Sequence, residues 1–97
     1  MTRDEILEAL AEHREELQAL GIKSLALFGS AARDELTDQS DIDMLVDLEG
    51  PKGLFGLIRV KHRLEELLNV EEIDLITKEG LHPALRDRIL AEAVDAL

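Results

Sequence analysis

Apolar residues recur at helical spacing over the first twenty positions, at Ile6, Leu7, Leu10, Leu17 and Leu20. They follow Thr2-Arg3-Asp4-Glu5, which has the Thr-x-x-Glu form of a capping box, and stop at Gly21, so the pattern predicts one amphipathic helix. Ser24-Leu25-Ala26-Leu27-Phe28 is too short and apolar to classify by period, but glycines at 21 and 29 favour a buried strand. Ser30 to Leu36 has the composition of a short helix, and Thr37-Asp38-Gln39-Ser40 that of a polar loop. Asp41 to Leu48 alternates acidic positions (Asp41, Asp43, Asp47) with apolar ones (Ile42, Met44, Val46, Leu48) and predicts a second strand, closed by Glu49-Gly50-Pro51. Leu45 interrupts the alternation and implies that the acidic face is covered beyond Asp43. Leu54, Leu57, Ile58, Leu64, Leu67 and Leu68 predict a helix over 54–68, and Val70 to Thr77 a third strand. Leu81 to Leu97 predicts a last helix, with Pro83 in its first turn and Leu85, Ile89, Leu90, Ala93, Val94 and Leu97 on its apolar side.

This order gives an α/β fold: a single small mixed sheet of about three strands with helices packed against it. The helix between the second and third strands favours a parallel, right-handed crossover. The first two strands are expected to be antiparallel, because only then do the end of one and the start of the other lie together. Ninety-seven residues without a repeat or linker imply one domain over 1–97.

Composition narrows the picture. Phe28 and Phe55 are the only aromatic residues, so the core must be aliphatic, and Phe55 is expected inside it with Leu54, Leu57 and Ile58 rather than at an interface. The absence of cysteine excludes disulfides, thiolate metal sites and thiol nucleophiles. No apolar run approaches membrane-spanning length and Met-Thr-Arg-Asp-Glu is no signal sequence, which points to a cytoplasmic protein with no membrane partner. The net charge of −11 opposes binding of long DNA or RNA, whose affinity comes from Lys and Arg. A nucleoside triphosphate is different, because Mg²⁺ can bridge its phosphates to carboxylates. A basic macromolecular partner would also be attracted. Glu5, Glu8, Glu12, Glu15 and Glu16 read most simply as a solvated face.

The chemistry concentrates between the first two strands. Side chains two apart on a strand share a face, roughly 6.5 Å apart along the chain, so Asp41 and Asp43 point the same way. Paired carboxylates of this kind ligate hard cations, Mg²⁺ with Mn²⁺ as a substitute, rather than zinc. Asp74, flanked by Ile73 and Leu75, is the candidate third carboxylate, and burial there would need compensation by metal, hydrogen bond or cation; Glu72 competes for the role. Gly29-Ser30, separated from Asp41 by ten intervening residues, would hold phosphate through close backbone approach, helix-start N–H groups and the Ser30 hydroxyl. Arg33 and the cluster Arg59, Lys61, His62 and Arg63 read first as solvated helix faces, with phosphate or partner contact as the alternative. His13, His62 and His82 lack any ligand spacing.

Phe28-Gly29-Ser30-Ala31-Ala32-Arg33, Ser40-Asp41-Ile42-Asp43-Met44-Leu45-Val46 and Ile73-Asp74-Leu75-Ile76-Thr77 together resemble the three motif blocks of the minimal nucleotidyltransferase (MNT) proteins, the smallest branch of the DNA polymerase beta-like nucleotidyltransferases. The resemblance extends into Leu81-His82-Pro83-Ala84-Leu85-Arg86. It implies that Gly29 and Ser30 bind the nucleotide, and that Asp41, Asp43 and Asp74 are catalytic and hold Mg²⁺. It further implies ATP as substrate and a HEPN toxin as partner, since MNT proteins commonly pair with HEPN proteins and some transfer AMP to a HEPN tyrosine. One departure is Asp34, where the family often has glycine. The chain has no tyrosine, so a tyrosine acceptor would belong to another molecule.

The leading expectation is an antitoxin that nucleotidylates a protein hydroxyl, probed by Asp41→Asn/Asp43→Asn. The alternatives are a non-catalytic antitoxin that neutralises by binding, and a transferase acting on a small molecule such as an antibiotic, against which the short chain counts. Nucleobase, acceptor, metal number and any homo-oligomer stay open.

Overall fold

The computed structural model describes residues 1–37, 41–50 and 53–97. The expected loop residues Asp38-Gln39-Ser40 and the breaker Pro51 lie outside them, as does the side chain of Leu54. The elements run α1 (Arg3–Glu12), α2 (Arg14–Ala19), β1 (Ile22–Phe28), α3 (Gly29–Ala32), β2 (Ile42–Leu48), α4 (Gly53–Leu68), β3 (Ile73–Thr77), a 3-10 turn (Lys78–Gly80), α5 (Pro83–Glu92) and β4 (Val94–Asp95).

The capping box forms as read: the Thr2 hydroxyl accepts from the Glu5 N–H at 3.2 Å, and the Glu5 carboxylate accepts from the Thr2 N–H at 3.0 Å. The single N-terminal helix, however, divides at His13, whose φ of −112° and ψ of 21° leave the helical region. The apolar spacing jumps there from Leu10 to Leu17, so no buried side chain pins the intervening turn. The short helix after β1 is also briefer than its composition suggests, because Asp34 takes φ +57° and turns the chain away.

Among the described residues the sheet has four strands, in the order β3-β2-β1-β4. As expected, β1 and β2 are antiparallel and β2 and β3 parallel. The additional strand corrects the reading of residues 81–97 as one helix. α5 stops at Glu92, and Val94–Asp95 pairs antiparallel with Leu27 and Ala26. The Ala96 N–H donates to the Leu25 carbonyl at 2.8 Å, and Ala96 is buried. Local composition favours helix there, but the free edge of β1 offers the backbone a ladder and the terminal apolar residues a place in the core.

Ile6, Leu10 and Leu17 of α1 and α2, with Val60, Leu64 and Leu68 of α4, pack on the sheet face formed by Leu25, Leu27, Met44 and Val46. The core is entirely aliphatic, as the composition requires. Phe55 does not join it: the ring is 86% exposed. On the opposite face Ala26 and Leu45, cross-strand partners, are buried, which explains why Leu45 breaks the alternation.

Candidate active site

Register sets the site. Asp43 lies opposite Phe28 across the antiparallel pair and opposite Asp74 across the parallel pair, so both carboxylates occupy the sheet face away from the main core. β1 ends at Phe28, and Gly29 turns the chain into α3 with φ +65°. A methyl group on Gly29 would sit 2.6 Å from Asp43 Oδ2, closer than non-bonded carbon–oxygen contacts come. Glycine is therefore needed twice here, for the left-handed backbone and for the space its missing Cβ leaves to a carboxylate.

The environment of Asp43 is strained electrostatically. Burial raises its pKa, repulsion from Asp74 and a hydrogen bond shared with Asp74 raise it further, and Asp41 adds to the effect; Arg33 opposes it, and the balance is about 6. The carboxylates at 43 and 74 thus compete for one region, with Asp41, exposed just before β2, close enough to be felt. All three are oxygen donors of the type hard divalent cations take, and the crowding is of the kind that a cation relieves. Among the described residues no three acidic or histidine side chains already converge into a ready-made metal cage.

Asp74 differs from expectation in its surroundings: it is exposed, on an edge strand, although Ile73 beside it is fully buried. Glu72 falls outside the strand and lies 3.5 Å from Lys61, which removes it from the carboxylate pair. Ser30 is the second residue of α3, half-buried beside Gly29. α3 is a single turn with little macrodipole, so any attraction for phosphate would rest on its first-turn N–H groups. Arg33 closes that turn, and its guanidinium bonds Glu35 at 3.1 Å and Glu92 at 3.4 Å.

Sequence reasoning did not foresee how the loop after α3 is held. Asp34 Oδ1 accepts from the Arg3 N–H at 2.8 Å, and Arg3 Nη1 donates to the Ala32 carbonyl at 3.1 Å. Asp34 takes the left-handed conformation that glycine adopts readily, and uses its carboxylate to tie the site loop to the start of α1. The only advance signal was Asp34 itself, since aspartate tolerates positive φ better than most residues.

Strand-end carboxylates beside a glycine turn on a small mixed sheet describe a class of α/β protein, and comparison with known proteins narrows it. A nucleotidyltransferase domain model matches residues 10–96. A Methanocaldococcus jannaschii protein, provisionally named a protein adenylyltransferase, is 49% identical over 77 residues, 79% of this chain and 82% of that protein. The protein adenylyltransferase MntA of Thermococcus cleftensis is 35% identical over 95 residues, 97% of this chain and 95% of its own length. A solved structure provisionally described as a minimal nucleotidyltransferase superposes with a TM-score of 0.75 at 38% identity, covering 91% of this chain and 93% of that one. A chain in the structure of tri-AMPylated Shewanella oneidensis HEPN toxin in complex with MNT antitoxin gives a TM-score of 0.67 over 95% of this chain and 71% of its own, and at 15% identity it shares the fold. The chain therefore belongs to the nucleotidyltransferase domain family, among its minimal nucleotidyltransferases. That membership makes it a transferase.

Proposed function

We propose that this protein transfers AMP from ATP to a hydroxyl group of a protein partner, a HEPN toxin, and so acts as an antitoxin. The observation that carries the reading is the Asp43–Asp74 pair set against Gly29 at neighbouring strand ends. Support comes from the adenylyltransferase name of the Thermococcus relative and from the AMPylated HEPN toxin in the fold-related complex.

In this reading Gly29 and Ser30 receive the triphosphate through backbone N–H groups and the hydroxyl. Asp41, Asp43 and Asp74 hold Mg²⁺, or Mn²⁺ in its place, Asp41 turning toward the other two. When bound, the metal supplies positive charge to the attacking and leaving oxygens of the displacement. Asp43 must be ionised to become a ligand, and a cation would favour that form. Asp74, exposed on its edge strand, would take the proton of an arriving acceptor hydroxyl. The acceptor oxygen bonds to the α-phosphorus, the bond to the β-phosphate bridging oxygen breaks, and pyrophosphate leaves.

The test is transfer of label from α-phosphate-labelled ATP, with Mg²⁺, to a HEPN toxin candidate in a source-cell lysate. A labelled band with wild type and none with Asp41→Asn/Asp43→Asn is the expected result. Equal neutralisation of the toxin by both, with both folded, would replace this reading with inhibition by binding.

A further inference from the structure

We infer that Glu65 is a positioning residue for Asp74: its carboxylate takes the Ile73 N–H and so holds the start of β3 against α4, where Asp74 faces Asp43. The use made of Asp74 rests on the transferase reading above; the anchoring of β3 does not.

The need for an anchor follows from the sheet. β3 is five residues long, lies at the edge and pairs with β2 alone among the described residues, and Asp74 is its second residue. Glu71 and Glu72, just before it, are exposed and belong to no helix or strand. The start of such a strand opens readily, because few backbone bonds hold it. Charge adds a load. When ionised, Asp43 and Asp74 repel each other. β2 is paired on both sides and cannot yield, so the repulsion pushes the start of β3 outward.

Two contacts oppose that displacement. The Ile73 side chain is fully buried in the core, and the Ile73 N–H donates to Glu65 Oε2 at 2.9 Å. Glu65 is well placed to accept. It follows the core residue Leu64 on α4, its side chain is 13% exposed, and Lys61 one turn earlier donates to the same oxygen at 3.1 Å. Burial alone would raise the Glu65 pKa, but the Ile73 N–H and Lys61 outweigh it and hold the group below its ordinary value. The bond to Ile73 is therefore charge-assisted, stronger than one between neutral groups, and largely shielded from water. Lys61 also lies 3.5 Å from Glu72, so the same ammonium reaches the residue before Ile73. The Val70 N–H donates to the Glu65 carbonyl at 3.1 Å, which fixes the turn that leads into β3.

A bond that only stabilised the fold would be indifferent to Asp74. This one is not, because Ile73 and Asp74 are joined by one planar peptide unit, so a shift of the Ile73 backbone carries Asp74 with it. α4, whose Val60, Leu64 and Leu68 are packed in the core, is the rigid element from which Asp74 is held beside Asp43.

The experiment compares wild type with Glu65→Leu, which removes the acceptor, and Glu65→Gln, which keeps an acceptor oxygen. In amide hydrogen exchange of the metal-free protein, Ile73 and Asp74 should exchange about tenfold faster in Glu65→Leu, with Leu25 to Leu27 unchanged. Lys61→Met, a milder change that spares Glu65, should give the same local pattern at about threefold. Mn²⁺ binding, followed by electron paramagnetic resonance, should be about tenfold weaker in Glu65→Leu and within about threefold of wild type in Glu65→Gln. In an Asp74→Asn background Glu65→Leu should change Mn²⁺ affinity by less than about twofold, because the residue acts through Asp74. Transfer should lose about tenfold in kcat with KM for ATP nearly unchanged, since Gly29 and Ser30 are untouched. Exchange that accelerates uniformly, or not at all at Ile73 and Asp74, in both Glu65→Leu and Lys61→Met would overturn the proposal. So would an equal loss of Mn²⁺ affinity with and without Asp74. The local exchange pattern in a protein whose wild type neither binds Mn²⁺ nor transfers label would uphold the anchor and fail the transferase reading.

Discussion

Gly29→Ala separates the cost of a backbone conformation from the cost of moving a carboxylate. At φ +65° an alanine costs about 1–2 kcal/mol relative to a right-handed conformation, offset by about 0.4–1 kcal/mol because alanine stiffens the unfolded chain. The net loss should be about 1 kcal/mol, which lowers the midpoint of thermal unfolding by roughly 4–8 °C for a domain of this size. The second effect is local. The new methyl would lie 2.6 Å from Asp43 Oδ2, so the carboxylate must retreat by roughly 0.5–1 Å to reach ordinary van der Waals distance. It can do so by turning its side chain, which is cheap for folding and expensive for chemistry, because a displacement near 1 Å at a reacting centre costs about 100-fold. Urea unfolding followed by circular dichroism, beside label transfer from ATP, should therefore show a protein still folded at 25 °C with transfer reduced roughly 10- to 100-fold. Repeating Gly29→Ala in an Asp43→Ala background should leave the backbone cost and remove any cost of the contact. Wild-type transfer by Gly29→Ala, or a stability loss of several kcal/mol that Asp43→Ala does not diminish, would refute the reasoning.

Three further outcomes follow from named contacts. The pKa of Asp43 is raised from 3.8 to about 6, so the folded metal-free protein binds the extra proton and is favoured at low pH. Its stability should fall as pH rises from about 4 to about 6 and level off above, and Asp43→Asn should remove that slope in urea titrations across pH 4–8 and respond less to added Mg²⁺ at pH 7. Asp34→Ala should cost about 2 kcal/mol, through the lost acceptor for the Arg3 N–H and the left-handed backbone, whereas Asp34→Gly should fall within about 0.5 kcal/mol of wild type because relief of φ offsets the lost bond. Equal losses in the two variants would show that backbone conformation does not matter there. The Ser24 hydroxyl in β1 is buried without a hydrogen-bond partner among the described residues, so Ser24→Ala should stabilise the protein by up to about 1 kcal/mol in the same assay, and destabilisation would show a partner elsewhere.

Much of the fold was legible because local pattern and global packing agree over most of the chain. The capping box, the period-two alternation of β2 and the helical spacing of α4 all survive in place. Legibility failed where two structures were locally reasonable. Residues 93–97 have helical composition, but the unpaired edge of β1 turns them into strand and core. Phe55 carries the mark of a core residue, yet α4 turns Val60, Leu64 and Leu68 inward and leaves that position to solvent. The site divides in the same way. Asp41 and Asp43 could be paired from their spacing, whereas placing Asp74 beside them needed the pairing of strands separated by a whole helix.

By itself the sequence determined which residues could carry charge, where glycine permits an unusual turn, and which stretches alternate with period two or 3.6, because those properties depend on side chains and neighbours a few positions away. The tertiary structure decided that Asp43 faces Asp74, that Gly29 yields its empty Cβ position to a carboxylate, that Asp34 reaches back to Arg3, and that an aromatic ring remains in water. Each of these joins positions distant along the chain, and strand register and helix rotation, fixed only when the whole aliphatic core closes, bring them together.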